Sequence, residues 1–122
     1  MKMSKKTLVL GASENPDRYS FKAVTDLRFY NHPVIAVGRR AGKIQDIEIS
    51  KELILANDID TVTLYLNPEN QKPFYNYILS LKPKRIIFNP GTENEELENL
   101  AAAAGIETIE ACTLVMLRTG QF

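Results

Sequence analysis

Thr7–Leu10, Pro33–Val37, Thr61–Leu66 and Arg85–Phe88 are short apolar or β-branched runs, and they stop at Gly11, Gly38, Asn67 and Asn89. The first, apolar at consecutive positions, has the character of a strand covered on both faces. Between the runs, apolar residues recur at helical spacing. Ala23, Val24, Leu27 and Tyr30 make one stripe, and Phe74, Tyr77, Ile78 and Leu81 make another at i, i+3, i+4 and i+7. Such alternation leaves little choice of architecture, because strand–helix–strand units pack as a parallel sheet with helices on its faces. The sequence therefore predicts an α/β, Rossmann-like three-layer sandwich, a mainly parallel sheet flanked by helices. It is expected to be a single domain over residues 1–122.

Local signals fill in the rest. Ser20 is the predicted N-cap of a helix ending near Asn31. Gly38–Lys43 reads as a loop, and Ile47 and Ile49, alternating with charged neighbours, read as a short edge strand. Ser50–Asn57 is expected to form a brief helix, and Lys72–Leu81 a longer one with Pro73 in its first turn. Thr92 and Glu95 have capping-box spacing, and Gly105 stands where a helix ending at Ala104 would need its C′ residue. Glu107–Ile109 is the last predicted strand, and Thr113–Leu117 is an apolar tail of unassigned type.

Fifteen basic residues balance fifteen acidic ones, so no overall field draws the chain to nucleic acid or to an anionic membrane. The one cysteine, Cys112, and the one histidine, His32, are too few for an internal disulfide or a zinc site. The apolar run after the basic start is too short for a signal peptide, and no segment has transmembrane length. A reducing cytoplasm is the expected location.

In an open parallel sheet, ligands sit beyond the carboxyl ends of the strands, near the point where strand order reverses. The segments that follow the predicted strands include Gly11–Tyr19, Gly38–Lys43, Asn67-Pro68 and Asn89–Gly91. Gly11 lets the backbone turn and approach an anion, and amides near Ser13, the Ser13 hydroxyl and a helix N-terminus could together hold phosphate. Arg18 adds a planar cationic fork suited to phosphate oxygens. The G-x-G-x-x-G dinucleotide fingerprint is missing beyond its first glycine. At the end of the second strand, where an NAD site wants a carboxylate, the chain reads Val37-Gly38-Arg39-Arg40, with Lys43 shortly after. Cations there suit an adenosine with an extra ribose phosphate, whether NADP or coenzyme A. The same residues also make an ordinary strand end, helix cap and solvated basic loop, and pattern alone leaves these readings open.

The stretch "GASENPDRYS" resembles the G-A-S-x-x-P-x-R-x-S motif of small bacterial CoA-binding proteins, which are similar in fold to the CoA-binding domain of the succinyl-CoA synthetase α subunit. "NPGTENEELENLAAAAGIETIEACTLVML" resembles the family's final loop, helix and strand, so the likeness covers nearly the whole chain. The resemblance implies binding of coenzyme A or an acyl-CoA. Gly11, Ala12 and Ser13 would line the pyrophosphate with support from Arg18 and Ser20. Gly38, Arg39 and Arg40 would take the ribose-phosphate side. Asn67 and Pro68 would approach the adenine or the pantetheine arm, and Gly91 would mark another turn at the pocket edge. Two segments depart from the pattern: Val37-Gly38-Arg39 replaces V-N-P, and "VTLYLNP" lacks the arginine of V-x-x-F-R.

The larger ligases of similar fold carry their phosphorylated histidine and nucleotide-grasp parts in further domains, so the expectation is a binding or accessory role rather than catalysis. Alternatives are an NADP-linked oxidoreductase and a ligand-free interaction module. The partner is expected to be a small molecule, with a homo-oligomer or partner subunit covering a sheet edge. Cys112 is expected to be a packing residue, and His32 to lie at the sheet end away from the ligand.

Overall fold

The computed structural model describes residues 4–122. One sheet contains seven strands: β1 (Thr7–Leu10), β2 (Val34–Val37), β3 (Gly42–Ile44), β4 (Ile47–Ser50), β5 (Thr61–Leu64), β6 (Arg85–Phe88) and β7 (Glu107–Glu110). Their order is β3-β4-β2-β1-β5-β6-β7, and every pairing is parallel except β3 with β4. The helices are α1 (Tyr19–Phe29), α2 (Pro68–Gln71), α3 (Tyr75–Ser80), α4 (Glu95–Ala103) and α5 (Thr113–Arg118), with a 3-10 turn at Lys72–Phe74 between α2 and α3. This is the expected mostly parallel, three-layer α/β sandwich.

The period-2 alternation of strands divides the core between two faces. Leu8, Leu10, Val62, Leu64, Ile86 and Phe88 pack with Ile78 of α3 and with Leu97 and Ala101 of α4. On the opposite face, Val9, Ala36 and Ile49 pack with Val24 and Leu27 of α1 and Leu117 of α5. All four residues of β1 are buried, as its unbroken apolar run requires. Among the described residues, no helix is long and apolar enough to cross a membrane.

Several local expectations are corrected. Arg18, not Ser20, is the N-cap of α1, and it makes no side-chain cap; Ser20 is buried inside the helix. Ile47–Ser50 is not the sheet edge, because Gly42–Ile44 turns back as an antiparallel strand outside it. The turn between them puts Gln45 at φ +54°, without the Asn-Gly or Asp-Gly pair that usually marks a hairpin. Residues 50–57 form no helix. The Thr92–Glu95 capping box is displaced: Asn94 is the N-cap of α4 and accepts from the Leu97 N–H, while the Thr92 hydroxyl donates to the Asn89 carbonyl. The predicted Lys72–Leu81 helix begins earlier, at the Asn67 cap with Pro68 in its first position, and passes through 3-10 geometry at Pro73. The apolar tail is α5.

The end of α4 follows the reading from sequence. Gly105 has φ +76°, its N–H donates to Ala102 and that of Ile106 to Ala101, which closes the helix as a Schellman motif. The α1 helix closes in the same way with Asn31 at φ +66°.

Candidate functional site

The chain leaves β1 toward β2 on one side and returns to β1 through β5 on the other, so strand order reverses at β1. The segments after β1, β2, β5 and β6 surround a cavity of about 890 Å³ at this point. That lies within the range of ~300–1,000 Å³ typical of small-molecule sites.

The first wall is the loop after β1. Gly11 turns the chain at φ +96°, and a Cβ there would stand 3.1 Å from the Tyr65 backbone. The N–H groups of Gly11 and Ala12 both donate to the Val37 carbonyl, at 2.9 and 3.0 Å. Those two amides therefore hold the loop to β2 and do not face a ligand. Among the described residues, the N–H groups of Ser13 and Glu14 have no partner. The Ser13 hydroxyl accepts from Asn15, the Asn15 side chain accepts from Asp17, and the Arg18 N–H donates to the Asn15 carbonyl. These bonds coil the loop directly into α1, whose first turn has no side-chain cap. The residues that carry these free amides, and the first residues of α1 with the positive end of its dipole, all line the cavity.

The second wall is the turn after β2, where Arg39 and Arg40 line the cavity. Gly38 lies beneath them. A Cβ there would overlap the Ala12 carbonyl oxygen, so Gly38 permits the two loops to touch and does not itself reach the cavity wall. Pro68 is likewise off the wall and serves as the first residue of α2. The remaining candidates, Gly11, Ala12, Ser13, Arg18, Ser20, Arg39, Arg40, Asn67 and Gly91, are brought together around the one space.

The sequence reading missed Glu14. Its carboxylate accepts the Lys43 N–H at 2.8 Å, tying the loop after β1 to β3, and the absent side chain of Gly42 leaves room for it. Nothing in the sequence separation of Glu14 and Lys43 signals this contact. Tyr65, Leu66, Asn70 and Thr92 were also missed. With Asn67, Pro90 and Gly91 they form a wall without formal charge. Burial holds the Tyr65 phenol above its usual range, so it stays neutral. His32 lies on a different cavity, with Lys5, Phe29, Leu117 and Phe122, and its Nδ1 accepts from the Lys5 N–H. Cys112 precedes α5 and does not line the large cavity.

Fold and geometry define an open, mostly parallel α/β protein with a ligand-sized cavity at its switch point. Residues 5–118 match the CoA binding domain model, and the chain belongs to that family. A protein of known crystal structure, described only as uncharacterized, is 52% identical with a TM-score of 0.96, over 99% of this chain and 100% of its own. Two other likenesses concern the fold alone. The structure of cell-free ID.343 from Thermus thermophilus has 23% identity and a TM-score of 0.85 over 98% of this chain and 91% of its own. A hypothetical protein from Pyrococcus horikoshii OT3 has 20% identity and a TM-score of 0.86 over 95% and 83% respectively. No curated protein matches the chain significantly.

Proposed function

We propose that the protein binds coenzyme A or an acyl-CoA in this cavity, as a binding or accessory protein rather than a catalyst. One observation carries the reading: the uncapped first turn of α1 opens into a cavity that also receives Arg18, Arg39 and Arg40. The diphosphate takes the Ser13 and Glu14 amides, the first turn of α1 and the Arg18 guanidinium. Arg39 and Arg40 take the ribose phosphate, for which a guanidinium is the best-matched partner. The uncharged part of the ligand then meets the neutral wall formed by Leu66, Asn67, Asn70 and Gly91. Membership of the CoA binding domain family supports the same ligand.

Isothermal titration with CoA, dephospho-CoA and NADPH tests this. CoA is expected to bind more tightly than dephospho-CoA, which lacks the ribose phosphate, and more tightly than NADPH. Absence of heat and of any thermal shift with CoA at millimolar concentration would refute it, and preferential NADPH binding would favour the oxidoreductase reading.

A further inference from the structure

Gln71 is a fully buried amide at the end of α2, in a layer where apolar side chains would pack more easily. Its Nε2 donates to the Leu66 carbonyl and to the Thr92 carbonyl, both at 2.8 Å. Its Oε1 accepts from Asn94 Nδ2 at 2.8 Å. Both donors and the oxygen of the amide are thus engaged, and the groups it bonds lie outside α2. Leu66 follows β5, Thr92 follows β6, and both line the large cavity. Asn94 extends the chain outward: the same Nδ2 donates to the Tyr75 hydroxyl, which donates to the Glu96 carboxylate at 2.9 Å.

We infer that Gln71 is a positioning residue for ligand binding: one side chain clamps the loops after β5 and β6 together and so fixes the width of the neutral wall. The inference rests on the CoA reading and adds a residue that does not line the cavity. Among the described residues, the β5–β6 ladder ends at Leu64 and Phe88, so beyond that rung no ladder holds the two loops at a set separation. Asn89 ties the base of the gap by donating to the Leu64 carbonyl, and Gln71 ties the next level outward. An amide is required at this place. Only a group with two donors and an acceptor meets two carbonyls and the Asn94 amide at once.

Gln71→Glu tests the clamp, because a carboxylate cannot donate to either carbonyl. Gln71→Asn is a milder partner that keeps the donors but shortens their reach. Both variants are checked for folding by circular dichroism, then titrated with CoA. Each folded variant is expected to bind CoA about tenfold more weakly, the scale of a lost buried hydrogen-bond pair. For Gln71→Glu, the ratio of variant to wild-type affinity is expected to recover partly as pH falls, because the protonated acid regains one donor; the ratio removes the ligand's own titration. A folded Gln71→Glu protein with wild-type affinity, or with an affinity ratio indifferent to pH, would overturn the inference. Hydrogen exchange in the ligand-free protein separates it from the CoA reading. Faster exchange is expected at the hydrogen-bonded amides of Tyr65 and Thr92 in both variants, and unchanged exchange there would overturn the clamp even if no form of the protein bound CoA.

Discussion

The carbonyl oxygen of Ala12 rests against the α-carbon of Gly38, where a Cβ would overlap it. With Val37 accepting from Gly11 and Ala12, this contact makes the loop after β1 and the turn after β2 one unit. The backbone around Ser13 and the backbone that carries Arg39 and Arg40 therefore keep a fixed relation to each other. Gly38→Ala is expected to destabilise the protein by about 1–3 kcal/mol, as overpacking against backbone does. Urea unfolding measures the loss, and CoA affinity is expected to fall with it. A Gly38→Ala protein as stable as the wild type would show that the two loops part freely.

Arg39→Ala combined with Arg40→Ala is expected to weaken CoA binding by about tenfold or more, the scale of charge-assisted hydrogen bonds, and to leave dephospho-CoA nearly unaffected. The contrast between the two ligands is the measurement. Equal losses for both would move the ribose phosphate away from this turn.

Asn89 lies beneath the cavity with every polar side-chain atom engaged. Its Nδ2 donates to the Thr63 hydroxyl at 2.7 Å and to the Leu64 carbonyl at 2.9 Å, and its Oδ1 accepts the Thr113 N–H at 2.9 Å. Asn89→Leu is expected to cost about 1–3 kcal/mol for each buried group left without a partner. Chemical denaturation is the check. A small loss would mean that these groups find other partners.

Much of this arrangement is legible from residue order. The apolar runs at Thr7–Leu10 and Arg85–Phe88, and the closure at Gly105, depend on local patterning, and the structure reproduces them. That Gly11, Ser13 and Arg18 line one cavity is legible because they are close in sequence, in the loop that follows the first strand. What escaped depends on contacts between distant segments. Glu14 reaches Lys43, Gln71 reaches Thr92, and Gly38 makes room for Ala12, and no local spacing encodes any of these. The β3–β4 hairpin escaped because its turn uses Gln45 in a conformation usually reserved for glycine or asparagine. Thr92 lost its capping role because α4 begins two residues later than its spacing suggests, at the Asn94 cap, and the Thr92 hydroxyl donates to Asn89 instead.

His32 gives a pH prediction. Burial first, then the positive charges of Lys5 and Arg85, hold its pKa below 6.5, so the unfolded chain takes up the proton more readily than the folded one. Its contribution to stability is complete above 6.5 and is lost as pH falls through the lower folded value. The thermal midpoint of the wild type, relative to His32→Asn, is expected to be level above pH 6.5 and to decline as pH falls below it. Parallel curves for the two proteins would contradict the assignment.

A crystal structure of the protein with bound CoA is the most direct test of the central claim. The predicted result is the diphosphate seated on the Ser13 and Glu14 amides at the first turn of α1, in contact with Arg18. CoA held elsewhere on the molecule, or a diphosphate lying away from that turn, would contradict it.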